Sequence, residues 1–332
     1  MFTPVLERPE APAPARIPAP ADPVASAGRA GRRSTRPARR RRRGIAPYLY
    51  LLPALAMLLL WTYWPLAQTF ELSVYDWNLL PTSPREFVGL ENFVEVVTLP
   101  EMQRAVGNTV LYTVAFAVFS LVLPLIIALL SQHVRGRWKT FYQALIFVPY
   151  LLTPVATAAV WRWLFAPNGG TIPTVMSYFG ADIGNVFRDP SMALCAIVVM
   201  VGWQMLGFGV LVVSAGMAGI SPEYAQAAGL DGAGPLTVIR RITLPLLSPT
   251  LVFLGLMTVL LTAQWTYPMI DVLTKGGPSN STTNIYYILY QFGFQNFDSG
   301  LSSAAGVLFF LVFGAIAMIY LRLTEKFSFY DD

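Results

Sequence analysis

One histidine, His133, and one cysteine, Cys195, are all that 332 residues supply of the two side chains most used for soft metals and cross-links. No disulfide can close within the chain, and no Cys/His metal cage can be assembled. Charge is equally scarce. Asp, Glu, Lys and Arg make up 12% of the residues against 55% hydrophobic, with a mean hydropathy of +0.53, where a soluble domain carries about 25% charged residues. The chain contains no GxxxxGK[ST] phosphate loop and so lacks the means to hydrolyse ATP itself. A nucleophile–base pair would have to be built on His133, in a short basic loop. These absences exclude most enzyme classes, and the composition that remains is that of an integral membrane protein.

The formal charge of +5 is unevenly spread. Residues 1–44 hold eleven of the 23 basic residues against Glu7, Glu10 and Asp22, so that segment is +8 and the rest of the chain −3. Its first 28 residues are rich in Pro and Ala and show no hydrophobic period, which predicts a disordered tail. The cluster Arg29–Arg43 abuts an apolar run, where basic residues act as a topology signal and touch anionic lipid. A nucleic-acid arm is the weaker reading, and no nucleic-acid partner is expected. A secretory signal is disfavoured because the apolar run passes Leu60 to about Phe70 without a small-residue cleavage site.

A hydrocarbon core of about 30 Å takes roughly 20 apolar residues as a helix. Runs at Ile45–Phe70, Ala105–Leu130, Phe141–Phe165, Met192–Met217, Thr250–Leu273 and Ser302–Leu321 predict an all-α polytopic protein with six transmembrane helices over 45–330. Arg135, Arg137 and Lys139 lie in one set of loops with Arg240, Arg241, Arg322 and Lys326. The opposite loops carry Glu71, Asp76, Glu86, Glu91, Glu95, Glu101, Asp182, Asp189 and Asp298. The basic set faces inside, which places both termini in the cytoplasm.

Several spans carry proline: Pro53 and Pro65, Pro124, Pro149 and Pro154, and Pro268. Such breaks either open a path or reflect packing. Polar residues within spans point inward, because each is costly in lipid. Trp203 and Gln204 fall in the middle of span four. Gln264, Trp265, Tyr267 and Asp271 fall in the outer half of span five, and Arg162 near the outer end of span three, between Trp161 and Trp163. A ring stacks on a sugar face while amides take its hydroxyls, so this set is a candidate substrate path for a hydroxylated solute. Packing is the competing role for Gln204 and Gln264, and interfacial anchoring for Trp161 and Trp163.

Between spans four and five lies a polar, glycine-rich loop, 221–247, on the predicted cytoplasmic side. Ser221 is placed to cap a helix with Pro222 in its first turn and Glu223 beside its exposed N–H groups. Small residues follow, and a second helix is expected from Pro235, ended by Pro245. Gln226-Ala227-Ala228, Gly232 and Ile242-x-Leu244-Pro245 reproduce the spacing Glu-Ala-Ala, three residues, Gly, nine residues, Ile-x-Leu-Pro, except that Gln226 stands in place of Glu. The loop resembles the EAA loop of permeases of ATP-binding-cassette importers. FVGLENF (87–93), FVPYLLTPV (147–155), WRWLFAPNGG (161–170), DGAGP (231–235) and TKGGPSNSTT (274–283) are similar to segments of carbohydrate-uptake permeases, most of all the first permease subunit of sn-glycerol-3-phosphate importers.

The resemblance implies a type I importer permease fold and alternating access. A second permease subunit would complete the pore, and two copies of a cytoplasmic ATPase would bind ATP and Mg, leaving this chain without a cofactor. An extracytoplasmic solute-binding protein would deliver a glycerol phosphate, a glycerophosphodiester or a related sugar. In that family the loop is the ATPase-coupling element, which carries the role to Glu223, Gln226, Ala227, Ala228, Gly232, Ile242, Leu244 and Pro245. A secondary transporter driven by an ion gradient is the alternative. It requires an embedded ionisable group, for which Asp271 is the acidic candidate.

Overall fold

The computed structural model describes residues 46–327 apart from 133 and 135. The predicted tail over 1–44 lies outside the described residues. The chain divides into two units after Ala54. Of the first, the described part is the opening of helix α1 (Ala46–Leu58). The second continues with α2 (Trp64–Leu72), a two-residue hairpin of β1 (Tyr75–Asp76) and β2 (Glu86–Phe87), α3 (Glu91–Thr98), α4 (Pro100–Ala117), α5 (Leu123–Ser131), α6 (Arg137–Leu151) and α7 (Pro154–Leu164). After these come α8 (Thr171–Tyr178), α9 (Pro190–Ala218), α10 (Pro222–Leu230), α11 (Pro235–Val238), α12 (Leu244–Leu273), α13 (Ile285–Tyr290) and α14 (Ser299–Phe327).

Five helical stretches are long and apolar enough to cross a membrane: Leu49–Leu72, Pro100–Ser131, Pro190–Ala218, Pro235–Leu273 and Ser299–Arg322. The sixth, expected as one span over Phe141–Phe165, is instead a broken pair. Helices α6 and α7 meet at 95°. The break follows from Pro154, which drives the residue before it out of the helical region. Thr153 accordingly has ψ 137°, and Leu152 ψ 138°.

Three of the remaining prolines are handled differently. Pro65, Pro124 and Pro245 each stand two residues beyond a π-turn, over Leu59–Tyr63, Val118–Val122 and Ile239–Thr243. At the end of each turn an N–H reaches back five residues: Trp64 to Leu59, Leu123 to Val118, Leu244 to Ile239. A proline clashes with the carbonyl four residues back and cannot donate to it. Widening the preceding turn gives the ring room without ending the helix. Pro245 therefore does not stop the second loop helix, contrary to expectation, and α11 runs through its π-turn directly into α12.

Helix α9 is the centre of the second unit. It is apolar on every side and buries Ile197, Val201, Met205, Val210 and Val213 among others, as an interior helix should. Tyr112, Phe116, Ala158, Ile197, Val201, Met269 and Tyr287 form one core cluster; Ala128, Val213, Leu247 and Leu254 form another. Small residues set the helix spacing. A Cβ placed on Gly207 would lie 2.4 Å from the Ile146 carbonyl oxygen, so α6 lies backbone-close to α9 only because glycine is there.

Candidate functional site

The 221–247 loop is built from ordinary helix-end chemistry. The Ser221 hydroxyl accepts from the Glu223 N–H at 3.3 Å, and Pro222 occupies the first turn of α10. At the other end the Ala233 N–H reaches the Ala228 carbonyl at 2.9 Å and the Gly232 N–H that of Gly229 at 3.1 Å. Gly232 has φ +79°, the left-handed conformation that closes this kind of helix end and that glycine adopts without strain. Glu223, Gln226, Ala227 and Gly232 are exposed and Ala228 half-buried, while Ile242, Leu244 and Pro245 are half-buried where the chain re-enters the bundle. Two large apolar side chains flank the glycine turn without cover. Leu230 is 91% exposed and Leu236 76%.

At the opposite end the predicted polar residues separate into distinct places. Gln204 is fully buried. Its Nε2 donates to the Leu152 carbonyl at 3.0 Å, the Pro149 carbonyl at 3.3 Å and Thr157 Oγ1 at 3.1 Å. These are the polar groups left over where α6 breaks from α7, and in this conformation the amide serves that break rather than an aqueous path. Trp203, exposed in part, packs edge-on to Trp161 at 5.8 Å.

On α12, Gln264, Tyr267 and Asp271 fall at spacings of three and four, hence on one face. Gln264 is exposed. Trp265 stacks on Tyr150 at 5.3 Å and Tyr150 on Phe208 at 5.1 Å, an aromatic ladder from α12 across α6 to α9. Tyr267 lies 5.7 Å from Tyr290, which stacks on Phe294 at 5.6 Å. Asp271 is held by Lys275 at 2.7 Å. The same hydrogen bond raises the Lys275 pKa, and it leaves the one acidic candidate for ion coupling already paired.

The segment 274–284 is clamped to α4. Arg104 donates to the Ser279 carbonyl at 2.9 Å, Asn108 to those of Asn280 and Thr283 at 3.2 and 2.9 Å, and the Tyr112 hydroxyl to that of Thr282 at 3.0 Å. Asn284 is fully buried and donates to Ala263 and Thr266 of α12. Beside this segment, Arg162 and Arg188 line a single cavity of 590 Å³ with Trp163, Phe165, Phe187 and Leu273.

Residues 120–327 match the family model described as "Binding-protein-dependent transport system inner membrane component". The chain belongs to this family. It is therefore an inner-membrane, multi-pass permease of an ABC importer, working with a periplasmic binding protein and leaving ATP to a partner ATPase. The permease is 30% identical over 280 residues to the sn-glycerol-3-phosphate transport system permease proteins UgpA of Pectobacterium atrosepticum and Escherichia coli, covering 84% of this chain and 94% of each relative. In fold it matches the crystal structure of a bacterial ABC transporter involved in the import of the acidic polysaccharide alginate, with a TM-score of 0.74 at 22% identity over 86% of this chain and 96% of that one. The same transporter in complex with alginate pentasaccharide-bound periplasmic protein matches with a TM-score of 0.73, also at 22% identity, over 85% of this chain and 94% of that one.

For the permease, then, the structure brings Gln264, Tyr267 and Asp271 onto one face and separates them from Gln204, Trp203 and Arg162. Sequence reading overlooked Tyr150 and Arg188. The signal for Tyr150 was its place beside Pro149, at a break where a ring from α6 turns toward α12. Arg188 was masked by Asp189, which is occupied in capping α9 through the Met192 N–H at 2.8 Å.

Proposed function

We propose that this permease carries a glycerol phosphate, a glycerophosphodiester or a related sugar inward by alternating access, and that loop 221–247 is where a cytoplasmic ATPase drives it. The relatives' names supply the solute class. The exposure of Leu230 and Leu236 around the Gly232 turn carries the coupling assignment: two uncovered leucines beside a small-residue surface make a knob suited to a groove on another protein. Glu223, Gln226, Ala227, Ala228 and Gly232 would meet that groove. Ile242, Leu244 and Pro245 would transmit its movement, because α11, the π-turn and α12 form one continuous helix from the loop to the far face.

On this reading a second permease subunit of similar size completes the pore, and two ATPase copies engage one loop each. ATP acts by binding one state of the ATPase pair better than the other, since a ligand shifts an equilibrium only by its differential affinity. Gln264, Trp265, Tyr267 and Asp271 of α12, with Tyr150, supply the polar and aromatic lining for a hydroxylated solute. The experiment is copurification followed by ATPase assay of the reconstituted complex. An associated ATPase stimulated by solute-loaded binding protein is expected. Uptake that survives loss of the ATPase but is abolished by an uncoupler would overturn the proposal.

A further inference from the structure

Arg162 and Arg188 come from segments 26 residues apart in sequence and line the same cavity. Arg162 lies in the last turn of α7; Arg188 ends the short 3₁₀ turn Val186–Arg188 that precedes α9. No carboxylate lines this cavity. The nearest acidic residues in sequence are engaged elsewhere, Asp182 with the Gly184 N–H at 2.9 Å and Asp189 with that of Met192. Neither guanidinium takes part in an ion pair or hydrogen bond among the described residues, whereas that of Arg85 is paired with Glu71 at 3.0 Å and that of Arg104 with the Ser279 carbonyl. Of the other polar side chains of the wall, the Asn185 carbonyl oxygen accepts from the Phe187 N–H and Thr274 donates to the Ile270 carbonyl. The two guanidinium groups are the charged donors of the wall, set among Trp163, Phe165, Phe187 and Leu273.

Both arginines are exposed; two like charges lining one open cavity repel each other, and an anion seated between them relieves that repulsion. A guanidinium offers a planar fork of donors that matches the oxygens of a phosphate or carboxylate. We infer that this cavity is an oxyanion site at the outer mouth of the permease, which takes the phosphate group of a soluble phosphate monoester as solute passes from the binding protein toward α12. The inference rests on the transport reading above and narrows its solute class from glycerol phosphates, glycerophosphodiesters and sugars to phosphate monoesters. Leu273 and Thr274, at the end of α12, form part of the same wall, so an anion held here sits at the end of the helix that carries Asp271, Tyr267 and Gln264. The neighbouring Asp271 is neutralised by Lys275, which removes the charge that would oppose entry.

The test is arginine modification by phenylglyoxal on the assembled importer in phosphatidylcholine nanodiscs, read by mass spectrometry at each arginine. Inorganic phosphate and sn-glycerol 3-phosphate are expected to slow labelling of Arg162 and Arg188 about tenfold at roughly ten times the half-protecting concentration, as occupancy of a single site requires. Glycerol should protect neither residue, and Arg85 and Arg104 should respond to none of the three. The Arg162→Gln/Arg188→Gln variant should raise the KM for glycerol 3-phosphate in solute-stimulated ATPase activity, and Arg162→Lys/Arg188→Lys should restore most of it. Labelling indifferent to phosphate would overturn the inference, as would protection seen only when phosphatidylglycerol is added, which would make the occupant a lipid headgroup. A KM raised equally for a neutral solute would also overturn it, by assigning the cavity to an acidic side chain of the binding protein. Failure here with solute-stimulated ATPase intact leaves the transport reading standing. ATP-driven uptake unaffected by Gly232→Asp would sink the coupling assignment and leave the anion site untouched.

Discussion

The side-chain amide of Gln204 donates to the backbone carbonyl of Leu152 at 3.0 Å, so that α9 satisfies the polar groups exposed where α6 turns through 95° into α7. A residue that looks from sequence like a solute ligand is thus the pin of a broken helix. Replacing Gln204 with Leu should leave the carbonyls of Pro149 and Leu152 and the Thr157 hydroxyl without this donor. A buried polar group left unpaired costs about 1–3 kcal/mol, so the thermal midpoint of the solubilised protein should fall by several degrees. A solute ligand would instead raise KM at unchanged stability, and measuring both separates the two roles.

Gly232→Asp places a side chain at φ +79° and a charge on the exposed knob. The backbone strain alone costs about 1–2 kcal/mol, too little to prevent insertion. The variant should reach the membrane at normal levels and lose ATP-driven uptake, with ATPase association weakened. Leu236→Asp, at a position 76% exposed and with no glycine conformation to disturb, should show the same loss.

Gln264→Ala should weaken uptake without altering assembly, since the side chain is exposed and makes no hydrogen bond among the described residues. Trp265→Ala should do more, because it also removes the stack on Tyr150 at 5.3 Å, a contact worth about 0.5–1.5 kcal/mol beyond area burial. Transport kinetics for both variants, beside the amount of complex recovered, are the measurement.

Gly207→Val should fail at the level of folding. Its Cβ would meet the Ile146 carbonyl at 2.4 Å, and the obstacle is backbone rather than a mobile side chain. Overpacking of this kind costs about 1–3 kcal/mol, read as lower yield and a lower thermal midpoint.

The Asp271–Lys275 pair predicts a flat pH response near neutrality. The lysine pKa is raised by its hydrogen bond to Asp271. Its contribution is therefore complete below the unfolded-state value of 10.5 and is lost only as pH rises through the higher folded-state value. Stability measured from about pH 6 to 9 should not change on Lys275→Met by more than a constant offset.

Five of the spans and the capped helix Pro222–Leu230 were legible in sequence, because hydropathy and helix-end residues act locally. What was not legible depended on contacts distant in the chain. Asn108 and Tyr112 anchor a segment 175 and 170 residues away, and nothing in the sequence around either shows the pairing. Gln204 illustrates the same limit. Its chemistry was read correctly as that of a polar group that must be satisfied inside a membrane, but its partners lay on α6 and α7 and were made available by a break whose sharpness a hydropathy profile does not register. The prolines misled for a related reason. A proline announces a missing donor but not the remedy, and the chain used a bend at Pro154 and a widened turn at Pro65, Pro124 and Pro245.

Each widened turn also shifts the apolar pattern of everything after it. It spends one residue more than an α-helical turn on the same rotation, so the buried face downstream falls one residue later than a regular period would put it, and Ser120, within the second such turn, is directed to Thr258 at 2.6 Å. Deleting a single residue between 118 and 122 would let the turn close with Ala128 still against Val213 and Leu247, yet it would return the Pro124 ring to the carbonyl four residues back. The spare amino acid is thus room for a ring, and shortening the chain by one there should harm the protein far less once Pro124 is also replaced by Ala.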